Sequence, residues 1–392
     1  MIFKKIISYN QYENNKTLDL FLSFLKLGFS AFGGPAMVVY IKELAVEKKK
    51  WIDTKTFQEG VALAQAIPGA TAMQVAAYVG LKTRGIIGGL LSFIGFGFPA
   101  FLFMLILSYV YEKIHTIPQV MSVFTGLQVI VVAIVANAFL SFAKPVIKSK
   151  GEIAVAVLSF ALFLVKFNPF LIIILCFLIS QLFFKDKTTL DNKNFKKVNF
   201  TGIATLIFIV LTVLTFLYFF DKTLFSIALI MMKIDFFAFG GGYASVPLML
   251  HEVVSRLHWL NSKTFMNGIA LGQVTPGPIV ITATFVGYLL KGLTGAIVGT
   301  IFVFTPSFVI MAFACEISTK VKDSQIFLRA KKGLLASFLG LLLFASIEFA
   351  RSVDWSWTKL FMVLLSFFAL YKKVNILYVI FVGAFLSVII FR

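Results

Sequence analysis

The sequence Gln-Ala-Ile-Pro-Gly at residues 65–69 returns as Gln-Val-Thr-Pro-Gly-Pro at residues 273–278, and both copies lie inside long apolar runs. Proline lacks a backbone donor and glycine weakens a helix, so a Pro-Gly pair in mid-run predicts a broken helix or a re-entrant hairpin. A half-helix that begins at such a break directs free amide groups towards the bilayer middle, which suits an anion. A simple proline kink is the alternative. The candidate substrate-binding residues here are Gln65, Pro68, Gly69, Gln273, Pro276 and Gly277.

These two stretches are part of a long internal repeat. Trp51 recurs as Trp259 at a spacing of 208 residues, and Asn168 recurs as Asn375 at a spacing of 207. Because this register holds over most of each copy with one local slip, it indicates that a whole module has been duplicated. Duplicated membrane modules are typical of secondary transporters, whose halves rock about a central site.

The repeat divides the chain into four predicted domains. They are a polar N-terminal segment (1–17), a first module (18–185), a linker with one transmembrane helix (186–222) and a second module (223–392). Each module holds six apolar segments, and the single segment at 200–220 predicts that the two halves are inverted relative to each other. The distribution of Lys and Arg does not decide whether 57–80 and 264–290 cross the membrane or enter and leave on one side, so both topologies stay open.

The composition indicates the class of protein. Hydrophobic residues make up 59% of the 392 residues, charged residues 14%, and the mean hydropathy is +0.95. A soluble domain cannot cover so much apolar surface. The apolar runs have the length of transmembrane helices, about 20 residues, and lack the alternation of barrel strands. We therefore expect an all-α, multi-pass protein of the plasma membrane (a bacterial inner membrane), without a cleavable signal peptide.

The net charge of +19 does not indicate a nucleic-acid partner. The 36 Lys and Arg residues are spread over nearly every loop between the apolar runs, which suits the headgroups of a lipid bilayer. The three histidines lack the spacing of metal ligands, and no Walker A sequence is present. We expect neither a metal nor another cofactor, and a homodimer stays open.

A second pair of motifs interrupts the first apolar segment of each module. Residues 30–35 read Ser-Ala-Phe-Gly-Gly-Pro, and residues 237–242 read Phe-Ala-Phe-Gly-Gly-Gly. Irregular backbone at this depth is tolerated only where it is buried or lines a cavity. Close packing of helices through small residues is the alternative. The candidate substrate-binding residues here are Gly33, Gly34, Gly240 and Gly241.

Charged residues lie close to these glycines in the sequence. Lys26 and Lys233 each stand seven residues before the first glycine of the pair. An ammonium group inside a membrane is costly unless it is paired or hydrated, so both lysines are candidate substrate-binding residues. Snorkelling of the long side chains to the interface is the alternative. Asp235, where the first module has Gly28, is the candidate coupling residue.

Taken together, these motifs resemble the paired domains of the chromate ion transporter family. The resemblance rests on both Phe-Gly-Gly turns, the Trp51 segment with its Pro-Gly break, and the second break with Gly287, and it covers 18–185 and 223–392. It implies a two-module permease for chromate, linked to sulfate, that confers resistance by export. The chain departs from the pattern at Ala70, where the other half has Pro278, and at Asp235.

The physics of the membrane favours export of such an anion. Because the cell interior is electrically negative, each negative charge that leaves it gains about 2.3 kcal/mol per 100 mV of membrane potential. A dianion gains roughly twice that, without ATP. We therefore expect a secondary transporter that exports an inorganic oxyanion, chromate or sulfate. An importer or channel for another anion is the first alternative. A membrane-embedded enzyme is the second, although it would need clustered histidines or carboxylates that the sequence lacks.

Overall fold

The structure, a computed structural model, describes residues 17–32, 36–183, 201–321 and 325–391. Gly33, Gly34 and the predicted polar segment up to residue 16 lie outside these ranges, as does the first part of the linker. The described residues form helices and the turns between them, and five of the helices are long and apolar enough to cross a membrane. The predicted all-α, two-module fold is confirmed.

The first apolar segment of the chain is a hairpin of two short helices. α1 covers 17–30, and α2 (Ala36–Lys42) continues as a π-helical turn, Glu43–Lys48. Asp19 at the start of α1 lies 2.5 Å from Lys49, just after the end of that turn. The rings of Phe24 and Trp51 stack with their centroids 6.0 Å apart. These contacts make the two helices antiparallel, so both outer ends of this first hairpin lie at one end of the bundle.

The second apolar segment is also a hairpin. α3 covers Thr54–Ala64, with Asp53 accepting a hydrogen bond from the Thr56 amide as N-cap. α4 (Thr71–Ile114) reverses at Arg84 and Gly85, because Gly85 has a φ of 62°. Gly60 of α3 lies against the Tyr78 ring. The first arm of α4 (71–83) therefore returns alongside α3, and Pro68-Gly69 forms the tip of this second hairpin.

The second arm of α4 (86–114) is the first long helix of the bundle, and it runs antiparallel to the first arm. The Ser92 hydroxyl on the second arm donates to the Ala76 carbonyl on the first arm at 2.8 Å. Three helices follow and complete the first module: α5 (Pro118–Val146), α6 (Lys150–Leu164) and α7 (Pro169–Phe183).

The second module repeats this order. α9 (Lys222–Phe236) and α10 (Gly242–Met249), with the π-helical turn Leu250–Arg256, form the third hairpin. The fourth hairpin consists of α11 (Ser262–Val274), a 3-10 turn (Ile279–Ile281) and the first arm of α12 (Thr282–Val321). α12 reverses at Lys291 and Gly292, as α4 does at Arg84 and Gly85. The last three helices are α13 (Gln325–Arg351), α14 (Trp357–Tyr371) and α15 (Ile376–Ile390).

The modules are inverted, and α8 (Thr201–Phe220) joins them. Gly202 at its start lies against Ile86, next to the reversal in α4, at what we call the Arg84 end. Asp221, directly after α8, lies 2.8 Å from Lys291 at the reversal in α12, the Lys291 end, and this hydrogen bond lowers the pKa of the Asp221 carboxyl. α8 thus runs from one end of the bundle to the other.

The two open topologies are decided by these hairpins. The segments 57–80 and 264–290 turn back, and so do 18–40 and 224–248, which the sequence presents as single spanning segments. The topology in which every apolar segment crosses the membrane, six in each module and one between them, is therefore wrong for this fold. Two of the six segments in each module turn back, which leaves four that do not. Together with α8 they make an odd number between matched points of the modules, so the halves are still inverted.

Candidate functional site

The tips of the hairpins meet in the middle of the bundle through two reciprocal hydrogen bonds. The Gly69 amide donates to the Ala238 carbonyl at 3.1 Å, and the Gly277 amide donates to the Ala31 carbonyl at 3.0 Å. Each Pro-Gly break is therefore bonded to the residue just before the Phe-Gly-Gly motif of the other module. This pairing joins the two halves at matched positions.

Glycine is required at both breaks by conformation and by space. Gly69 has a φ of 115° and Gly277 a φ of 105°, which side-chain-bearing L-residues rarely adopt. A Cβ atom on Gly277 would stand 2.7 Å from the Cβ atom of Ala100. Pro68 and Pro276 beside them are buried. The breaks therefore let two backbones approach more closely than other residues would permit.

The tip of the third hairpin lies between the two breaks. Gly240 and Gly241 have φ values of 107° and 86°. A Cβ atom on Gly241 would lie 3.0 Å from the Thr71 hydroxyl, and one on Gly242 would lie 3.3 Å from Ile279. Thr71 and Ile279 begin the helical turns that follow the two breaks. The amides of the first turn of α4 have no partner within the helix, so this place gathers free donor groups from the first module. The Ile281 amide of the other turn donates to the Pro278 carbonyl.

A buried polar cluster supports the break at Gly69. The Gln74 amide group donates to the Pro68 carbonyl at 2.5 Å and lies 3.5 Å from the Ser307 carbonyl. The Ser307 hydroxyl accepts from the Ala70 amide at 2.8 Å, and the Ser307 amide donates to Asp235 at 2.8 Å. We call Gln74, Asp235 and Ser307 the Asp235 cluster, and all three side chains are fully buried.

The two predicted glutamines occupy different environments. Gln65 is exposed at the end of α3, whereas Gln273 is half-buried and lies beside Tyr243 at the start of α10. Only Gln273 therefore lies against the described tip of a neighbouring hairpin. Gly33 and Gly34 lie outside the described residues, and the binding role of all these residues stays a prediction.

The two predicted lysines also differ. Lys26 is exposed on α1. The Lys233 ammonium lies 2.8 Å from the carboxylate of Glu252 and 3.7 Å from the centroid of the Phe170 ring. Glu252 is fully buried and also binds Arg256. Two cations and one carboxylate therefore form a trio with a single net positive charge, and Lys233 pairs with Glu252 rather than with Asp235.

Comparison with known proteins agrees with this duplicated architecture. The family model described as chromate transporter matches residues 18–181 and again 225–388. The chain belongs to the chromate transporter family. The predicted resemblance is confirmed, and this chromate transporter family member is a multi-pass membrane protein of a transporter family.

Curated relatives cover most of this family member. An uncharacterized transporter of Methanocaldococcus jannaschii is 46% identical over 96% of the chain and 95% of its own length. The chromate transport protein of Cupriavidus metallidurans is 31% identical over 85% of the chain and 82% of its own length. The chromate transport protein of Pseudomonas aeruginosa is 27% identical over 85% and 81%. No solved structure matches the chain.

Sequence reasoning did not identify two members of the Asp235 cluster in this transporter. Gln74 is a polar residue in an apolar run five positions after Gly69, and Ser307 follows Pro306 where the first module has Ala100. The signal for Gln74 was its polarity within an apolar run, and the signal for Ser307 was its difference from the matched residue of the first module. Glu252, the fully buried partner of Lys233, is another residue that sequence reasoning did not identify.

Proposed function

We propose that this protein is a secondary transporter that moves chromate or a sulfate-like dianion out across the plasma membrane. The observation that supports this most is the pair of reciprocal hydrogen bonds, from Gly69 to Ala238 and from Gly277 to Ala31. They bring the irregular backbone of both modules to one place. Two relatives whose names describe chromate transport support the choice of substrate.

Backbone amides at the hairpin tips are the proposed ligands of the anion. Gly241 holds the backbone of the second module beside Thr71, which begins a helix whose first-turn amides have no intrahelical acceptor. Such groups of oriented amides bind phosphate and sulfate in many proteins. In the proposed cycle the inverted modules rock about this place and expose it alternately to each side.

Fixed positive charge is proposed to complement the amides. A dianion carries about four times the roughly half unit of charge that one helix terminus presents. Lys26 supplies one positive charge in the first module, and the trio of Lys233, Arg256 and Glu252 supplies one in the second. Lys26 lies on the first hairpin and the trio lies on the third.

Flux through reconstituted vesicles tests the proposal. The purified chain in proteoliposomes should carry labelled sulfate and chromate with saturable rates. A membrane potential that is negative on the loaded side should accelerate efflux, because a dianion gains roughly 4.6 kcal/mol per 100 mV. Lys26→Gln should raise the half-saturating concentration, and Lys26→Arg should retain part of the affinity.

Two results would contradict the proposal. Flux of either oxyanion no greater than in protein-free vesicles would exclude this substrate class. Flux that rises linearly with concentration, without saturation, would instead indicate a channel. A channel is part of the first alternative that the sequence analysis left open.

A further inference from the structure

Asp235 carries a carboxylate in the middle of the bundle that the proposed anion site does not use. It is fully buried, and its Oδ2 atom accepts the hydrogen bond from the Ser307 amide. Among the described residues its Oδ1 atom has no hydrogen-bond partner, and the same is true of the Oε1 atom of Gln74. A buried acceptor without a donor costs about 1–3 kcal/mol, and more when it is charged. The Ser307 hydroxyl has one proton to donate, towards Asp235, so the Asp235 cluster still holds more acceptors than donors.

The described charged and titratable groups on α9 and on the elements packed against it interact with residues other than Asp235. Lys233, Glu252, His251 and Arg256 interact with one another on the third hairpin. On α12, Lys291 pairs with Asp221 and Tyr288 binds Glu112, both at the Lys291 end, whereas Cys315 interacts with Tyr78 and Glu316 is exposed. Tyr243 of α10 lies beside Gln273, Tyr218 of α8 against Phe225, and Tyr78 of α4 beneath Lys82. The contacts that the structure gives Asp235 are with Ser307.

Only one of the two modules carries this carboxylate. The repeat places Gly28 opposite Asp235 and Ala100 opposite Ser307. A Cβ atom on Gly28 would stand 2.6 Å from the Phe96 carbonyl oxygen, so the first hairpin has no room there for a side chain. The two-fold relation between the modules is therefore broken at a polar, buried position.

We propose that Asp235 is a proton-binding site whose occupancy is coupled to the anion, an inference that rests on the proposed function. Ser307 connects the carboxylate to the break at Gly69, because its hydroxyl accepts the hydrogen bond of Ala70. An ionised Asp235 repels a dianion at the hairpin tips through the poorly polarisable interior. A proton taken from water forms an O–H bond on the carboxylate, removes that charge and supplies a donor to the cluster.

The coupling is reciprocal. If the protonated form binds the anion more tightly, the anion must raise the affinity of Asp235 for the proton by the same factor. One proton is therefore taken up when the anion binds and is returned to water when the anion leaves, so a coupled cycle moves one net negative charge and gains about 2.3 kcal/mol per 100 mV instead of the value for the dianion alone. No other reactant is needed.

Sulfate binding to the purified full-length chain, measured by calorimetry across the neutral pH range, tests this coupling. The dissociation constant should rise with pH, by as much as about tenfold per unit where one proton is taken up. Binding heats in two buffers of different ionisation enthalpy should report the uptake of a proton. Asp235→Asn should bind sulfate with a nearly constant affinity and no proton uptake, whereas Asp235→Glu should retain the pH dependence.

Asp354→Asn is the matched control, because Asp354 is an exposed carboxylate, 82% accessible, at the end of the bundle. Its sulfate dissociation constant should depend on pH as in the wild type, and its proton uptake should match that of the wild type. Wild-type binding without proton uptake would overturn the coupling, and so would a pH dependence that Asp235→Asn retains or a requirement for Na⁺ in place of the proton. In each of those cases sulfate still binds, so the proposed function stands. Absence of oxyanion binding at every pH would overturn both.

Discussion

At the scale of single residues, the two Pro-Gly breaks depend on backbone that only glycine supplies readily. Gly69 and Gly277 combine a positive φ with a close neighbour, Ser307 in one case and Ala100 in the other. Glycine at such a position serves both the conformation and the approach of the second backbone. Gly292, at the reversal in α12, has a positive φ but no atom within 4 Å of where a Cβ would stand.

Replacement of Gly277 and of Gly292 should distinguish an effect on the free energy of unfolding from an effect on sulfate affinity. Gly277→Ala and Gly292→Ala should each destabilise the fold by about 1–3 kcal/mol, because both impose strained backbone. Only Gly277→Ala should also weaken sulfate binding, since it pushes the two modules apart at Ala100. Thermal unfolding and equilibrium binding on the same preparations would measure both effects. Equal sulfate affinity in the two variants would contradict a binding role for the breaks.

Residue types explain why the sequence predicts this part of the site and not the rest. Glycine and proline carry their conformational preferences in themselves, so the breaks are visible in the sequence. Ser307 and Gln74 meet across 233 positions of sequence. Their pairing follows from how the modules dock, and local patterns contain no information about it.

At the scale of elements, the hairpins are the units that bring these residues together. An apolar run with a Pro-Gly pair fits a kinked spanning helix and a hairpin equally well. The difference lies in contacts between the outer ends of each hairpin, such as Asp19 with Lys49. Lys50 and Lys82, at the outer ends of the second hairpin, line one surface cleft. The sequence alone therefore left the topology of 57–80 open.

Single cysteines should show this re-entry directly. In a background with Cys176→Ala and Cys315→Ala, Lys50→Cys and Lys82→Cys should react with a membrane-impermeant reagent from the same side. Lys263→Cys should react from the other side, because Lys263 pairs with Asp354 beyond the end of α13 at the Lys291 end. Labelling of Lys50→Cys and Lys82→Cys from opposite sides would show that 57–80 spans the membrane.

At the scale of the whole molecule, two inverted modules share one centre but are not identical there. α4 packs against α12 and α5 against α13, so matched helices form the interior. The reciprocal bonds of Gly69 and Gly277 follow the repeat, whereas the Asp235 cluster and the trio around Glu252 break it. The repeat in the sequence predicts the symmetric part of the centre. The asymmetric part arises from substitutions whose partners lie in the other module.

Protection of a cysteine at Thr71 shows whether the oxyanion binds where the hairpins of both modules meet. Thr71 is half-buried and lies against Gly241 of the other module. In the cysteine-free background, Thr71→Cys should react with a small methanethiosulfonate reagent, and sulfate should slow that reaction with the concentration dependence of its binding. Lys50→Cys should react at the same rate with and without sulfate. If saturating sulfate leaves the reaction of Thr71→Cys unchanged while the variant still binds sulfate, the anion binds away from the hairpin tips.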